Sequence, residues 1–267
     1  MRSVVGRASG QDIMTPSLRT QDLTIRFGGH AAVDGVTCAF RPGELTAVVG
    51  PNGAGKTTWF NLVSGQLIPT EGRIFLGERD ITGLSPSARA LAGVGRAFQL
   101  TNLFPKLSVL ENVRLAAQAR RGTGASILRR ASADRASAGD AERYLAMTRL
   151  SDVAHLPASA LPHGDQRKLE VALLLAMEPQ IFMFDEPTAG MSVDEAPVIL
   201  ELIAEIRKDT GKTILLVEHK MDVVRALADR IVVLHNGQLV ADGKPDEVMA
   251  LPIVREIYLG VGAEEAA

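Results

Sequence analysis

The chain has 267 residues, 29 basic against 31 acidic side chains, a formal net charge of −2, and 46% hydrophobic but only 4% aromatic residues. That length suits one large domain or two small ones and buries a substantial core. One cysteine excludes a disulfide-stapled scaffold, no Cys/His cluster has the spacing of a structural zinc site, and the balanced charge gives no global pull toward nucleic acid or an anionic surface.

Residues 1–17 are small and polar and lack the apolar stretch of a secretory signal, so they read as a disordered tail. The longest purely apolar run, 171–177, falls far short of the ~18 residues a membrane span needs. The default compartment is therefore the cytoplasm, and any service to a membrane comes from outside the bilayer.

From Leu18 the pattern changes. Leu23, Ile25 and Phe27 alternate with polar residues, as in a half-buried strand. Residues 44–49 form a short apolar run ending at Gly50, which fits a buried strand. Residues 57–63 then read as a helix and 94–98 as a strand. Between 101 and 165 strand-like runs disappear. Helices are expected at 109–120 and 140–150, separated by a polar stretch in which Gly122, Gly124 and Gly139 act as breakers. Alternation then resumes: helix 167–177, strand 181–184, amphipathic helix 193–208, strand 213–217 and helix 221–228. In the amphipathic helix Val198, Ile199, Leu202, Ile203 and Ile206 share one face. Two further strands, 231–234 and 238–241, flank Asn236-Gly237, a hairpin signal. Strands alternating with helices imply a largely parallel sheet covered on both faces.

The strongest chemical signal is Gly50-Pro51-Asn52-Gly53-Ala54-Gly55-Lys56-Thr57. It matches the phosphate-binding pattern G-x4-G-K-[ST] and lies between a strand and a helix, the context that pattern requires. Glycines let backbone N–H groups turn toward phosphate oxygens, and the helix start adds its positive dipole end. Lys56 is placed to reach the β- and γ-phosphates and Thr57 to ligate Mg²⁺. The second signal is the apolar strand ending in Asp185-Glu186. Asp185 is the candidate to hold the ion, directly or through water, and Glu186 to polarise an attacking water.

With these motifs the chain, from Leu18 to Gly260, resembles the ATP-binding subunits of ABC transporters. Further features match that family in order and spacing. Phe27 lies 23 residues before Gly50, where the family has an aromatic that stacks on adenine. Gln99 matches a glutamine that senses Mg²⁺ and faces the transporter. Leu161-Pro162-His163-Gly164-Asp165-Gln166 stands at the signature sequence, before a helix. Residues 188–192 match a loop that crosses the dimer interface, and His219 matches the histidine that contacts the γ-phosphate. Read alone, Phe27 is equally a core aromatic, Gln99 a surface residue and His219 a structural histidine. Their joint order around one phosphate loop carries the resemblance. The signature departs from the family's Leu-Ser-Gly-Gly-Gln: Pro162 replaces a serine, His163 a glycine and Asp165 a glutamine, and Ser192 stands where many members have Asp. These departures weaken what the chain offers a partner's ATP and leave its own phosphate loop untouched.

The resemblance implies an α/β fold with a P-loop NTPase core, an antiparallel β subdomain and an inserted helical subdomain. Within one domain spanning 18–260, it assigns 18–100 and 167–250 to the catalytic core, 101–166 to the helical signature subdomain and 251–260 to a C-terminal helix, with 261–267 a tail. It makes Lys56, Gln99, Glu186 and His219 catalytic. Nucleotide contacts fall to Phe27, to Gly50, Pro51, Asn52, Gly53, Ala54, Gly55, Lys56, Thr57 and Thr58, and to His163, Gly164 and Asp165. Thr57, Gln99 and Asp185 are left for Mg²⁺.

Arg26-Phe27-Gly28-Gly29, the Leu-x-x-Gly-x-Gln signature and Ile257-Tyr258-Leu259-Gly260 further resemble the subunits that serve branched-chain amino acid importers. Relatives of that group import urea, amides or aromatic acids, and lipopolysaccharide-export ATPases are similar too. The implied partners are a second ATP-binding subunit, two transmembrane permeases and, indirectly, an extracytoplasmic binding protein, at the cytoplasmic face of the inner membrane and with no nucleic acid. The weak signature favours a paralogous partner over a homodimer. Residues 118–143 carry six arginines against three acids, and Arg120, Arg121, Arg129 and Arg130 are expected near anionic headgroups or permease loops. The rivals are a soluble ABC ATPase, which commonly has two cassettes or a long coiled coil, and a GTPase or kinase. The latter is disfavoured by the lack of any Asn-Lys pair for reading guanine.

Overall fold

The computed structural model describes residues 17–97, 103–122, 130–192 and 194–259. In chain order the elements are β1 (Leu18–Phe27), β2 (His30–Phe40), β3 (Leu45–Val49), α1 (Lys56–Ser64), β4 (Glu71–Leu76), β5 (Arg79–Asp80), α2 (Pro86–Ala92) and β6 (Val94–Ala97). There follow α3 (Val109–Arg120), α4 (Arg130–Met147), α5 (His163–Met177), β7 (Ile181–Asp185), α6 (Ala196–Arg207), β8 (Thr213–Val217), α7 (Met221–Leu227), β9 (Arg230–His235), β10 (Gln238–Gly243), α8 (Pro245–Ala250) and α9 (Pro252–Leu259).

Two sheets organise the chain. One has the order β10-β9-β3-β8-β7-β6, with β9 through β6 parallel and β10 turned antiparallel at the edge. The other is antiparallel, in the order β2-β1-β4-β5. Every residue of β3, β7 and β8 is buried, which is why these segments are apolar apart from Thr46, Thr213 and the terminal Asp185. The pleat sends alternate side chains to opposite layers. Phe182, Phe184, Ile214 and Leu216 join the buried faces of α5 and α6. Ile181, Met183, Leu215 and Val217 join α1 and the antiparallel sheet. Trp59 and Phe60 on α1 fill that second layer, with the Trp59 ring 5.5 Å from Phe40.

Two arginines, Arg230 partly and Arg89 fully buried, fasten the layers. Arg230 donates to Asp242 Oδ1 and Oδ2, each at 2.5 Å, to Glu44 Oε1 at 3.1 Å and to the Ala39 carbonyl at 2.7 Å, so one guanidinium joins β9, β10 and the antiparallel sheet. Arg89, 1% exposed, donates to the carbonyls of Leu62 and Val63 and so caps the C-terminal end of α1. It also reaches the carbonyls of Thr82 and Leu84.

The expected break at Gly139 is corrected: α4 runs unbroken from Arg130 to Met147. Alanines dominate around this glycine, and Ala141, Tyr144 and Leu145 bury against the cluster that includes α3 and α5. That packing offsets the ~1 kcal/mol a mid-helix glycine costs. Two of the four arginines expected near headgroups or permease loops also have partners within the chain. Arg120 and Arg121 donate to Asp140 at 2.9 and 2.6 Å, and Arg120 also pairs with Glu178, so both are committed to tying α3, α4 and α5 together. Arg129 lies outside the described residues, as does the side chain of Arg130.

Candidate active site

Open α/β sheets present their ligand sites at the carboxyl ends of the strands. Here β3, β7 and β8 end side by side, delivering Gly50, Asp185 and the residues after Val217 to one edge. The chain leaves β3 at Gly50 with φ 151°, where a Cβ would stand 2.1 Å from the Leu234 carbonyl oxygen, so only glycine fits. The loop then turns into α1, whose N-terminal cap, Gly55, makes no side-chain hydrogen bond to the first turn. The helix thus begins with open N–H groups, a ready anion site. A cleft of about 190 Å³ lies over the loop, lined by Asn52 through Thr58 with His30, Ala32, Glu186 and His219.

Lys56 is 6% exposed, and its Nζ donates to the Gly50 carbonyl at 2.7 Å and the Pro51 carbonyl at 2.9 Å. Burial lowers its pKa, against an upward pull from the Glu186 and Asp185 charges. Asp185 is also buried, and Arg96 Nη2 donates to its Oδ2 at 2.7 Å. The other arm of Arg96 donates to Asn61 Oδ1 at 2.7 Å and Ser64 Oγ at 3.0 Å, so this residue joins β6, α1 and β7.

Glu186 follows with φ 51°, a left-handed conformation that costs an ordinary residue about 1 kcal/mol or more. Its backbone is pinned by N–H donation to the Val217 carbonyl at 2.9 Å, and its own carbonyl accepts from the Ala189 N–H at 3.0 Å. The strained turn aims the carboxylate across the cleft, where Oε1 lies 2.7 Å from His219 Nε2. One carboxylate and one imidazole thus face each other beside a phosphate-sized anion site. Such an arrangement is chemically able to polarise a water and to support a terminal phosphoryl group.

The other expected residues lie elsewhere. Phe27, at the end of β1, is 51% exposed and outside the cleft lining. His163, Gly164 and Asp165 start α5, also outside that lining, with Pro162 as a cap that makes no side-chain hydrogen bond. There a Cβ on Gly164 would stand 1.9 Å from Glu195 Oε1. Glu195 Oε2 accepts from the Ser192 N–H and hydroxyl at 3.1 and 3.0 Å. Gln99 lies outside the described residues. Next to that segment, a mostly apolar groove of about 540 Å³ runs between β6 and helices α3 and α5, lined by Ala97, Leu103, Phe104, Ala116, Leu173 and Met177 among others.

Two residues of the site escape sequence reading. Arg96 is one. Glu218, 4% exposed, is the other: its Oε1 accepts from Thr188 Oγ1 at 2.7 Å, and its Oε2 from the backbone N–H groups of His219 at 2.9 Å and Lys220 at 3.3 Å.

Comparison with known proteins shows the family. The ABC transporter family matches over residues 33–189. The chain is 40% identical over 250 residues to the high-affinity branched-chain amino acid transport ATP-binding protein LivG of Salmonella typhimurium, covering 92% of this chain and 98% of LivG. The ADP conformation of MJ1267, an ATP-binding cassette of an ABC transporter, is similar with a TM-score of 0.76 at 30% identity, covering 92% of this chain and all of that one. A dimeric post-hydrolysis structure of the cassette MJ0796, bound to ADP and Pi, is similar with a TM-score of 0.73 at 26% identity, covering 85% of this chain and 98% of that one. With its phosphate loop, facing acid and histidine, and end-to-end likeness to such cassettes, the chain belongs to the ABC transporter family and is one of its ATPases.

Proposed function

We propose that the chain is the ATP-hydrolysing subunit of an importer for branched-chain amino acids or related small polar or aromatic compounds, working at the cytoplasmic face of the inner membrane. The observation that supports it most is the match to LivG along nearly its whole length, combined with one cleft that holds Lys56, Thr57, Glu186 and His219. ATP lies with its phosphates over residues 50–58, Lys56 exchanges its two carbonyl partners for phosphate oxygens, and Phe27 stacks on the base. Glu186 takes a proton from the attacking water while His219 steadies the γ-phosphate.

The residues present fit Mg²⁺. Thr57 and Asp185 offer hard oxygen donors, and among the described residues no group of three or more His, Cys, Asp or Glu forms a metal cage. Magnesium favours that setting, a few protein oxygens completed by substrate phosphates. When bound, the ion neutralises charge on the β- and γ-phosphates; Gln99 is its third expected neighbour.

The separation of the α5 start from the loop cleft supports a dimer in which the chain's His163, Gly164 and Asp165 meet the ATP of a second, paralogous subunit. ATP holds such a dimer closed because both subunits contact it, and hydrolysis releases the bond. No helix among the described residues is long and apolar enough to cross a membrane. The partners that do are two permeases, and the groove beside Leu103 and Phe104 suits one of their apolar helices. An extracytoplasmic binding protein supplies the cargo.

The test has two arms. Glu186→Gln is expected to retain ATP binding and lose nearly all turnover; wild-type hydrolysis would remove Glu186 from its role. The tagged chain, purified from native membranes in mild detergent, is expected to carry two permeases and a second ATPase. Permeases without that ATPase would favour a homodimer and an export reading, and soluble partners alone would overturn transport.

A further inference from the structure

We propose that Glu218 is a positioning residue for ATP hydrolysis, tying the loop after β7 to the loop after β8 so that Glu186 and His219 hold their places when substrate separates them. This rests on the reading of Glu186 and His219 given above.

The two loops leave neighbouring strands in register, Asp185 opposite Val217. Two bonds then cross from one loop to the other. The outer one, Glu186 Oε1 to His219 Nε2, is solvent-accessible, with side chains 41% and 42% exposed. The inner one, Thr188 Oγ1 to Glu218 Oε1, is buried. The outer bond has to open during turnover, because the same two side chains must then face a water and a phosphate. Once it opens, the inner bond is the side-chain tie that holds the loops at a fixed separation.

A carboxylate buried this deeply is costly unless donors surround it. Glu218 meets that need from both sides, taking the Thr188 hydroxyl from one loop and the His219 and Lys220 N–H groups from its own. The backbone of His219 is thus fixed by the same group that fixes Thr188. The same loop passes the start of α5 closely enough that a Cβ added to Gly190 would lie 3.5 Å from the His163 ring.

Glutamine at this position keeps the volume but offers a single acceptor oxygen. With that oxygen kept on the His219 and Lys220 N–H groups, its NH₂ faces the Thr188 hydroxyl, which must then accept instead of donate, so a charge-assisted bond becomes a weaker neutral one.

The experiment uses the full-length chain with whatever subunits purify with it. ATPase kcat and KM, binding of a fluorescent ATP analogue and thermal midpoint are measured for Glu218→Gln, Thr188→Val, Thr188→Ser and the double variant Glu218→Gln/Thr188→Val. We expect Thr188→Val to lower kcat about ten-fold, the value of one lost hydrogen bond to a charged group, and Glu218→Gln, which weakens that bond without removing it, to lower kcat by about three- to five-fold. KM and analogue binding should stay within about two-fold. Thr188→Ser should restore the rate, and the double variant should be no slower than Thr188→Val, as for a shared contact.

Wild-type kcat in Glu218→Gln overturns the proposal. So do additive losses in the double variant, or a loss that follows the thermal midpoint with kcat and KM changing together. Glu186→Gln and His219→Ala separate the two levels. If both of those hydrolyse normally, the catalytic pair itself is misassigned. If both are inactive while Glu218→Gln is normal, only the role of Glu218 falls.

Discussion

Arg96 and Asp185 meet at 2.7 Å with only 6% and 4% of their side chains exposed. The carboxylate that closes β7 is thus balanced by a cation from the adjacent strand. Removing one member of a buried pair strands the other and costs about 3–5 kcal/mol. Arg96→Met should therefore destabilise the nucleotide-free protein by about 3 kcal/mol. Mg²⁺-ATP should recover part of that loss, because it brings positive charge to the same carboxylate. Unfolding midpoints with and without Mg²⁺-ATP check this. An equal stabilisation by ligand in variant and wild type would break the argument.

The α3–α4–α5 clamp predicts a pH dependence. Burial pushes the Asp140 pKa up, but the Arg121 hydrogen bond and the charges of Arg121, Arg120 and Arg143 pull it down further, so it lies below 3.8. A carboxyl whose pKa is lower folded than unfolded binds fewer protons when folded, so stability rises with pH between the two values. Its contribution is complete above about pH 4 and is lost as acid passes the folded value. Asp140→Asn should therefore cost about 1 kcal/mol near neutrality, and the gap from wild type should close toward pH 3. Urea titrations at several pH values measure this; a gap that stays constant into acid contradicts it.

Gly164 separates fold from function. A methyl group there meets first the carboxylate end of the half-buried Glu195 side chain, which must give up its Ser192 hydrogen bonds to make room. Gly164→Ala should leave stability within about 1 kcal/mol of wild type, because alanine suits a helix better than glycine. It also places a methyl over the start of α5, where a partner's phosphate is proposed to dock. Misplacement by about 1 Å costs up to about a hundred-fold in rate. ATPase activity of the assembled subunits should fall while the thermal midpoint holds; a destabilised protein with normal turnover would reverse this expectation.

The parallel strands were legible because burial on both faces leaves continuous apolar runs, as 213–217 shows by matching β8 residue for residue. The antiparallel sheet was only half legible. β1 alternates visibly, but β2 and β4 owe their strand form to pairing with it, which local pattern does not report. Gly139 misled because tertiary packing outweighed its helix cost. At the site, the phosphate loop and the acidic pair carry their own spacing. Arg96 and Glu218 carry none, since an arginine in a short strand and an acid beside a histidine both read as surface residues. Their partners lie 89 and 30 residues away. Only the fold shows them buried and paired.

Lys56 gives the loop a resting state of its own. With its ammonium held by two carbonyls six and five residues upstream, the lysine leaves no stranded charge when a nucleotide departs. Each arrival is an exchange of oxygen partners, and each departure the reverse exchange. The gain from binding is only the difference between the two sets. Such a socket favours repeated exchange over permanent retention, which suits a machine that must empty itself once per cycle.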